Sequence, residues 1–261
     1  MSGPARVLVV QHEPGTGAGW VGQWLTEAGL VLEVAHAYAG DELKPMTTYD
    51  GAVVLGGSMA PTDDEQCPWL PMVRQLMAEA VASSVPLLGI CLGAQLLALA
   101  CGGAVRRGVL GPELGVLDIE VHPAAGDDPL FAGLASPSPV VQWHWEEISA
   151  LPAGATLLAG SRTYANQVFR VGDHAWGVQG HPEVTAQIAA QWAREDSPML
   201  GAAGRATGEL VAEVRSHEEV LAKTWRPVAE AFAGVVRQRA ARPVLEDWIA
   251  DGPQDGPTPI Q

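Results

Sequence analysis

The chain is expected to be an α/β protein, a doubly wound and mostly parallel sheet flanked by helices, with a helical extension at its C-terminal end. Three observations carry that expectation. Through the first hundred residues, short apolar runs alternate with amphipathic stretches, which is the pattern of repeated strand–helix units. The runs Val7-Leu8-Val9-Val10 and Ala52-Val53-Val54-Leu55 are apolar at consecutive positions, as strands buried on both faces must be. Such runs end abruptly, in Gly56-Gly57-Ser58 or in a glycine-flanked cysteine, where a strand turns sharply into the next element.

Taken in order, the first strand is followed by a Gly/Pro-rich turn over residues 13–19, a helix over 20–28 closed by Gly29, and a second strand over 31–35. Residues 38–50 are polar and irregular. After the strand at 52–55, residues 71–82 place Val73, Leu76, Met77 and Ala80 at helical steps. A strand running from Val85 to Gly89 and a helix over 94–100 complete this half. Residues 116–121, 140–143, 156–159, 167–171 and 175–179 then read as short strands between Pro, Gly, Asp and Ser turns, an antiparallel or mixed addition to the same sheet. Residues 184–193 suit a helix. Beyond Asp196, Leu210, Val214, Leu221, Trp225, Val228, Phe232 and Val235 form one apolar helical face, which Pro227 is expected to split into two helices. That face suits packing on the domain better than dimerisation. The expected organisation is a catalytic domain over 1–196, a helical extension over 197–250 and a flexible, Pro/Gly/Asp-rich tail over 251–261.

Composition narrows the function. Acidic residues outnumber basic ones by 30 to 15, a net charge of −15, which argues against nucleic acid and anionic membrane as partners. No apolar run reaches the length of a membrane span, and the N-terminus lacks the plan of a secretory signal, so a cytoplasmic setting is expected. The three cysteines, Cys67, Cys91 and Cys101, make neither a disulfide framework nor a zinc motif, and no metal or other cofactor is expected. No Walker or Gly-x-Gly-x-x-Gly loop follows the first strand, which removes kinase and dehydrogenase readings.

The chemistry gathers on Gly89-Ile90-Cys91-Leu92-Gly93. Gly-x-nucleophile-x-Gly after an apolar strand is a nucleophile elbow carrying sulfur, at the start of a helix whose free N–H groups favour a thiolate. A thiol nucleophile needs a base, and of seven histidines only His181 has a usefully spaced acid. Pro182 biases His181 to extended backbone, where residues i and i+2 share a side, so Glu183 can reach the imidazole and fix its tautomer. For an oxyanion, the candidate donors are Leu92 N–H, next to the nucleophile, and Gly56 or Gly57 N–H at a neighbouring strand end.

These three stations resemble the class I glutamine amidotransferases. Gly89-Ile90-Cys91-Leu92-Gly93-Ala94-Gln95 is similar to that family's nucleophile motif, Gly177-Val178-Gln179-Gly180-His181-Pro182-Glu183 to its base motif, and Leu55-Gly56-Gly57-Ser58-Met59 to its oxyanion strand. The resemblance covers roughly residues 6–193. It is greatest to standalone members related to the glutaminase domain of GMP synthetase, including plant γ-glutamyl peptidases. It implies a flavodoxin-like fold and a Cys91–His181–Glu183 triad that cleaves a γ-glutamyl amide through a thioester. Gly57 and Gln95 would help to hold the glutamyl portion, with Gly56 beside them and Trp143-His144 nearby. The chain departs from the family in having Trp145 where relatives tend to have glycine, and Gly180 where phenylalanine is usual. Both departures bear on the substrate pocket, and His144 either lines that pocket or serves the fold. The expected partner is a small molecule, glutamine or a γ-glutamyl compound, with an oligomer left open. A subunit feeding a separate synthetase, a free-standing γ-glutamyl hydrolase, and a non-catalytic or redox-sensing protein on the same scaffold are the three forms the function can take.

Overall fold

In the computed structural model, which describes residues 3–241, the early apolar runs become β1 (Arg6–Gln11), β2 (Val31–His36), β3 (Gly51–Val54) and β4 (Leu87–Ile90). Between and after them lie α1 (Gly19–Glu27), α2 (Leu70–Ala82) and α3 (Leu92–Ala100). The later strands are β5 (Ala104–Arg107), β6 (Glu113–Val121), β7 (Ser138–His144), β8 (Glu146–Ala150), β9 (Thr156–Gly160), β10 (Val168–Val171) and β11 (Ala175–Val178). Three helices follow, α4 (Ala186–Glu195), α5 (Ser197–Ala202) and α6 (Thr207–Ala240).

Nine strands make one sheet in the order β2-β1-β3-β4-β11-β10-β9-β6-β7. The first five are mutually parallel, and β10, β9, β6 and β7 extend the sheet by antiparallel pairing. From β1 the chain goes first to one side and then to the other. The carboxyl ends of β1 and β3 therefore flank the crevice where such sheets bind ligands. α1, α4 and α6 cover one face and α2 and α3 the other, which gives two separate apolar layers.

The ribbon of β5 and β8 has no apolar signature and was not foreseen. Its pairing is polar, with Arg106 opposite Glu147 and Arg107 opposite Glu146, joined by ion pairs of 2.8 and 2.9 Å.

The expected break at Pro227 does not occur. α6 runs unbroken for 34 residues through that proline. Pro227 is exposed, as is Lys223, whose carbonyl loses its helical partner, while Trp225, Val228 and Phe232 on either side are buried and hold the turn in register. The apolar face is covered within the chain. Trp225 packs on Phe131 and donates its indole N–H to Pro139 O at 2.9 Å, and Phe232 meets Trp176 edge to face. Val236, not Val235, is the fully buried residue of the last turns. No helix among the described residues is long and apolar enough to cross a membrane. The tail expected over 251–261 lies outside the described residues, as do residues 242–250.

Substitutions two residues apart in α6 should act in opposite directions in chemical denaturation. Trp225→Ala is expected to lower stability by about 3–5 kcal/mol through the cavity it leaves. Pro227→Ala, which restores a helical hydrogen bond, is expected to raise it by about 1–3 kcal/mol.

Candidate active site

Cys91 joins β4 to α3 with φ +49° and ψ −106°, a backbone conformation that L-residues rarely adopt. Two flanking glycines explain how the chain can make this turn. A Cβ on Gly93 would lie 2.0 Å from Val54 O, and one on Gly89 would lie 2.6 Å from Gly93 O, so the start of α3 rests directly on two strand ends. Cys91 N–H donates to Val178 O at 2.8 Å, tying the turn to β11. The thiol is buried at the N-terminal end of α3, where the helix dipole favours negative charge.

The chain leaves β11 through Gln179 and returns to β7, where His181 N–H donates to Val141 O at 2.7 Å. His181 Nδ1 lies 2.8 Å from Glu183 Oε1, and both side chains are buried. His181 Nε2 has no hydrogen-bonding nitrogen or oxygen partner among the described residues. Burial alone pushes the imidazole pKa down. The charges of Cys91 and Glu183, with the hydrogen bond to Glu183, outweigh it and raise the pKa to about 10. Gly56 sits between the two groups: a Cβ there would be 3.1 Å from His181 Cε1 and 3.6 Å from Cys91 Cβ. The ring of Trp192, on α4, stands 4.7 Å from the His181 ring at 66°.

Of the proposed oxyanion donors, Gly57 N–H and Leu92 N–H have no hydrogen-bond acceptor among the described residues. Glu13 fixes the loop carrying Gly57, since its two carboxylate oxygens accept from Ser58 N–H at 2.8 Å and Ser58 Oγ at 2.7 Å. Gln95 lines the cleft, but its amide nitrogen donates to Gln179 Oε1 at 3.3 Å, and Gln179 Nε2 lies 3.7 Å from Cys91 Sγ. Gln179 was thus the missed neighbour of the sulfur. Its position two residues before His181 in extended backbone was the available signal. Trp192 and Glu13 had no such signal.

Trp143 and His144 both line the cleft, in different capacities. Trp143 donates its indole N–H to Asp196 Oδ2 at 2.8 Å. Both His144 nitrogens are engaged, Nδ1 with Glu146 O at 2.8 Å and Nε2 with Glu113 Oε2 at 3.1 Å, which favours the structural alternative for this residue. Burial pushes the Glu113 carboxyl up, but hydrogen bonds from His144 and Ser161 hold it below the usual carboxylate value. At Gly180 a Cβ would lie 2.7 Å from Val140 Cγ2, so a side chain there would have to displace Val140. Trp145 is half-buried on the cleft wall.

Together these residues border a cleft of about 350 Å³, with Cys91, His181, Gln95 and Gly57 among its lining and Trp143, Trp145 and Trp192 in its walls. Among the described residues, no group of three or more His, Cys, Asp or Glu is arranged to hold a metal ion. The arrangement offers a nucleophile, a proton carrier oriented by a carboxylate, and two free N–H groups beside the nucleophile, the parts an acyl transfer needs.

Comparison with known proteins bears on the same stretch. The family model for class-I glutamine amidotransferases matches residues 20–197. A glutamine amidotransferase-like protein of Salmonella typhimurium, YfeJ, is 32% identical over 228 residues, covering 85% of this chain and 95% of that protein. γ-Glutamyl peptidase 3 of Arabidopsis thaliana is 30% identical over 147 residues, 54% of this chain and 57% of the peptidase. The crystal structure of a glutamine amidotransferase from Thermotoga maritima superposes with a TM-score of 0.80 at 29% identity, covering 88% of this chain and 99% of that one.

His12, at the end of β1 beside Gly57, is also buried, and burial lowers its pKa to about 4. A depressed pKa contributes stability above the unfolded value of about 6.5, and that stability is lost as pH falls towards 4. The wild-type advantage over His12→Gln in urea denaturation is expected to shrink by about 3 kcal/mol between pH 7 and pH 4.

Proposed function

The chain belongs to the class-I glutamine amidotransferase family, and we propose that within it this protein is a thiol amidohydrolase cleaving the γ-glutamyl amide of glutamine. The Cys91 thiolate attacks the side-chain carbonyl carbon, and a sulfur–carbon bond forms while the oxygen takes the negative charge. Gly57 and Leu92 N–H groups stabilise that oxyanion. His181 gives its proton to the amide nitrogen as the carbon–nitrogen bond breaks, and ammonia leaves. The neutral imidazole then takes a proton from water. The resulting hydroxide attacks the thioester, the sulfur–carbon bond breaks, and glutamate is released with His181 again protonated beside a thiolate. Glu183 holds the imidazole tautomer and orientation throughout.

The observation that carries this reading is the polarity of His181. Nδ1 is committed to Glu183 at 2.8 Å, while the buried Nε2 is left free in the cleft that contains Cys91. A redox sensor has no use for that arrangement. A second reading, hydrolysis of larger γ-glutamyl amides or peptides, is favoured by the aromatic walls beyond the thiol, and by the likeness to a protein named γ-glutamyl peptidase, of which the match spans a little over half. In either reading the glutamyl acyl group rests on the same sulfur. A subunit role, passing ammonia to a separate synthetase, would add a partner without changing the chemistry.

Intact-mass spectrometry after brief incubation with glutamine is expected to show a glutamyl adduct on the wild type and none on Cys91→Ala. Glu183→Gln is expected to lower kcat by about 10²–10⁴-fold. Ammonia release from glutamine, compared with and without cell extract, separates a free-standing hydrolase from a subunit that its partner stimulates. Absence of both adduct and ammonia, with γ-glutamyl dipeptides also left intact, would sink the amidohydrolase reading.

A further inference from the structure

The direction in which the amine leaves is set by the proton it receives. On the reaction proposed above, which this inference rests on, that proton comes from His181, so the leaving group lies on the His181 side of the cleft. The wall there is α4. Trp192 holds its ring 4.7 Å from the imidazole, and Glu195 and Asp196 follow three and four residues later on the same side of the helix, both bordering the cleft. The loop carrying Glu13 closes on this wall: Trp192 Nε1–H donates to Gly15 O at 3.0 Å, and Glu195 Oε2 is 3.2 Å from where a Gly15 Cβ would stand.

Glu13, Glu195 and Asp196 are carboxylates bonded to neutral groups, Ser58, Gln191 and the Trp143 indole. None of the three has a Lys or Arg partner among the described residues. Among the described residues, Arg107 is the one Lys or Arg in the cleft lining, and it is paired with Glu146 at 2.9 Å. A γ-glutamyl head brings one ammonium and one carboxylate, so it satisfies at most one of the three acids while adding a negative group of its own. The buried, unpartnered His181 Nε2 independently marks this cleft as a ligand site. Trp143, Trp145 and Trp192 present indole rings of the kind that attract cations.

We infer that the preferred substrates are γ-glutamyl amides whose leaving amine carries a second positive charge, the amides of diamines and polyamines. The amide bond is placed at Cys91, and the alkyl chain runs past Trp192. The distal ammonium ends among Glu13, Glu195 and Asp196. An amine ending in a carboxylate meets three like charges in the same place and is disfavoured.

The test compares the γ-glutamyl amides of 1,4-diaminobutane, n-pentylamine and 4-aminobutanoate, with glutamine as the fourth substrate. The first three differ mainly in terminal charge. The diamine amide is expected to exceed the pentylamine amide in kcat/KM by about tenfold, with the 4-aminobutanoate amide lowest. The ratio of the first two is expected to fall in about 0.5 M NaCl and in the Glu195→Gln/Asp196→Asn variant. Equal rates for the three, or a preference for the anionic amide, would overturn the inference, and so would hydrolysis of glutamine alone; all of these leave the amidohydrolase reading standing. If none of the four is cleaved and none forms a thioester, that reading falls and the inference with it. Should the double variant fail to fold, the wild-type ranking and its salt dependence decide the matter.

Discussion

One backbone turn sets the geometry of the whole site. Holding Cys91 at φ +49° costs on the order of 1–3 kcal/mol, and such strain persists only where the surroundings over-determine it. Here they do. Val178 takes its N–H, its own carbonyl accepts from Gln95 N–H at 3.0 Å, and Gly93 lies against Val54 with no room for a side chain. The register of β3 on β4 and of β4 on β11 meets at this residue, with Val54 opposite Gly89 and Val178 opposite Ile90. The strands that lock the turn also deliver Gly57 and His181, so a slip in any of them would displace the thiol together with its neighbours in the cleft.

The helix outside the matched family stretch takes part in this placement. His181 is pinned by Val141 of β7, and β7 is held by the α6 indole at Pro139 O. The start of α6 and the segment leading into it also grip β6, which pairs with β7 along most of its length: Val116 N–H donates to Glu213 Oε1 at 3.1 Å, and Arg205, just before the helix, donates from Nη1 to Leu114 O at 2.7 Å. α6 is thus a layer of the core that reaches the imidazole through one strand, and the proline within it is tolerated because the buried residues on either side leave the helix no better path.

What was legible in the sequence was what depends on neighbours along the chain. β1, β3 and β4 announce themselves because strands buried on both faces must be apolar throughout, and the elbow because only glycines allow its close approaches. His181 and Glu183 are two residues apart and share a side of extended backbone. The ribbon of β5 and β8 was illegible because its cohesion is ionic and pairs residues about forty positions apart. Trp192 over the imidazole, Glu13 on Ser58 and Glu113 on His144 are likewise products of the tertiary fold, with no local pattern to betray them. Pro227 shows the reverse case, a strong local signal overruled by burial on either side.

The charges in the site change their relation as the proposed reaction proceeds, and that change gives His181 two opposite duties. In that reaction the His181 cation starts between the charges of Cys91 and Glu183, which hold the proton on. Once sulfur is bonded to carbon, its charge passes to the oxyanion and then, as the carbon–nitrogen bond breaks, to the departing nitrogen, where the His181 proton neutralises it. Of the two flanking anions only Glu183 then remains, while burial continues to disfavour the cation. The imidazole therefore becomes a stronger acid at the moment the departing nitrogen needs a proton. Having lost that proton, it stands neutral beside a thioester as water arrives. When the sulfur is released as a thiolate, the second anion returns and the imidazole again favours its protonated form. The covalent state of the nucleophile thus tunes its partner, with no conformational change required.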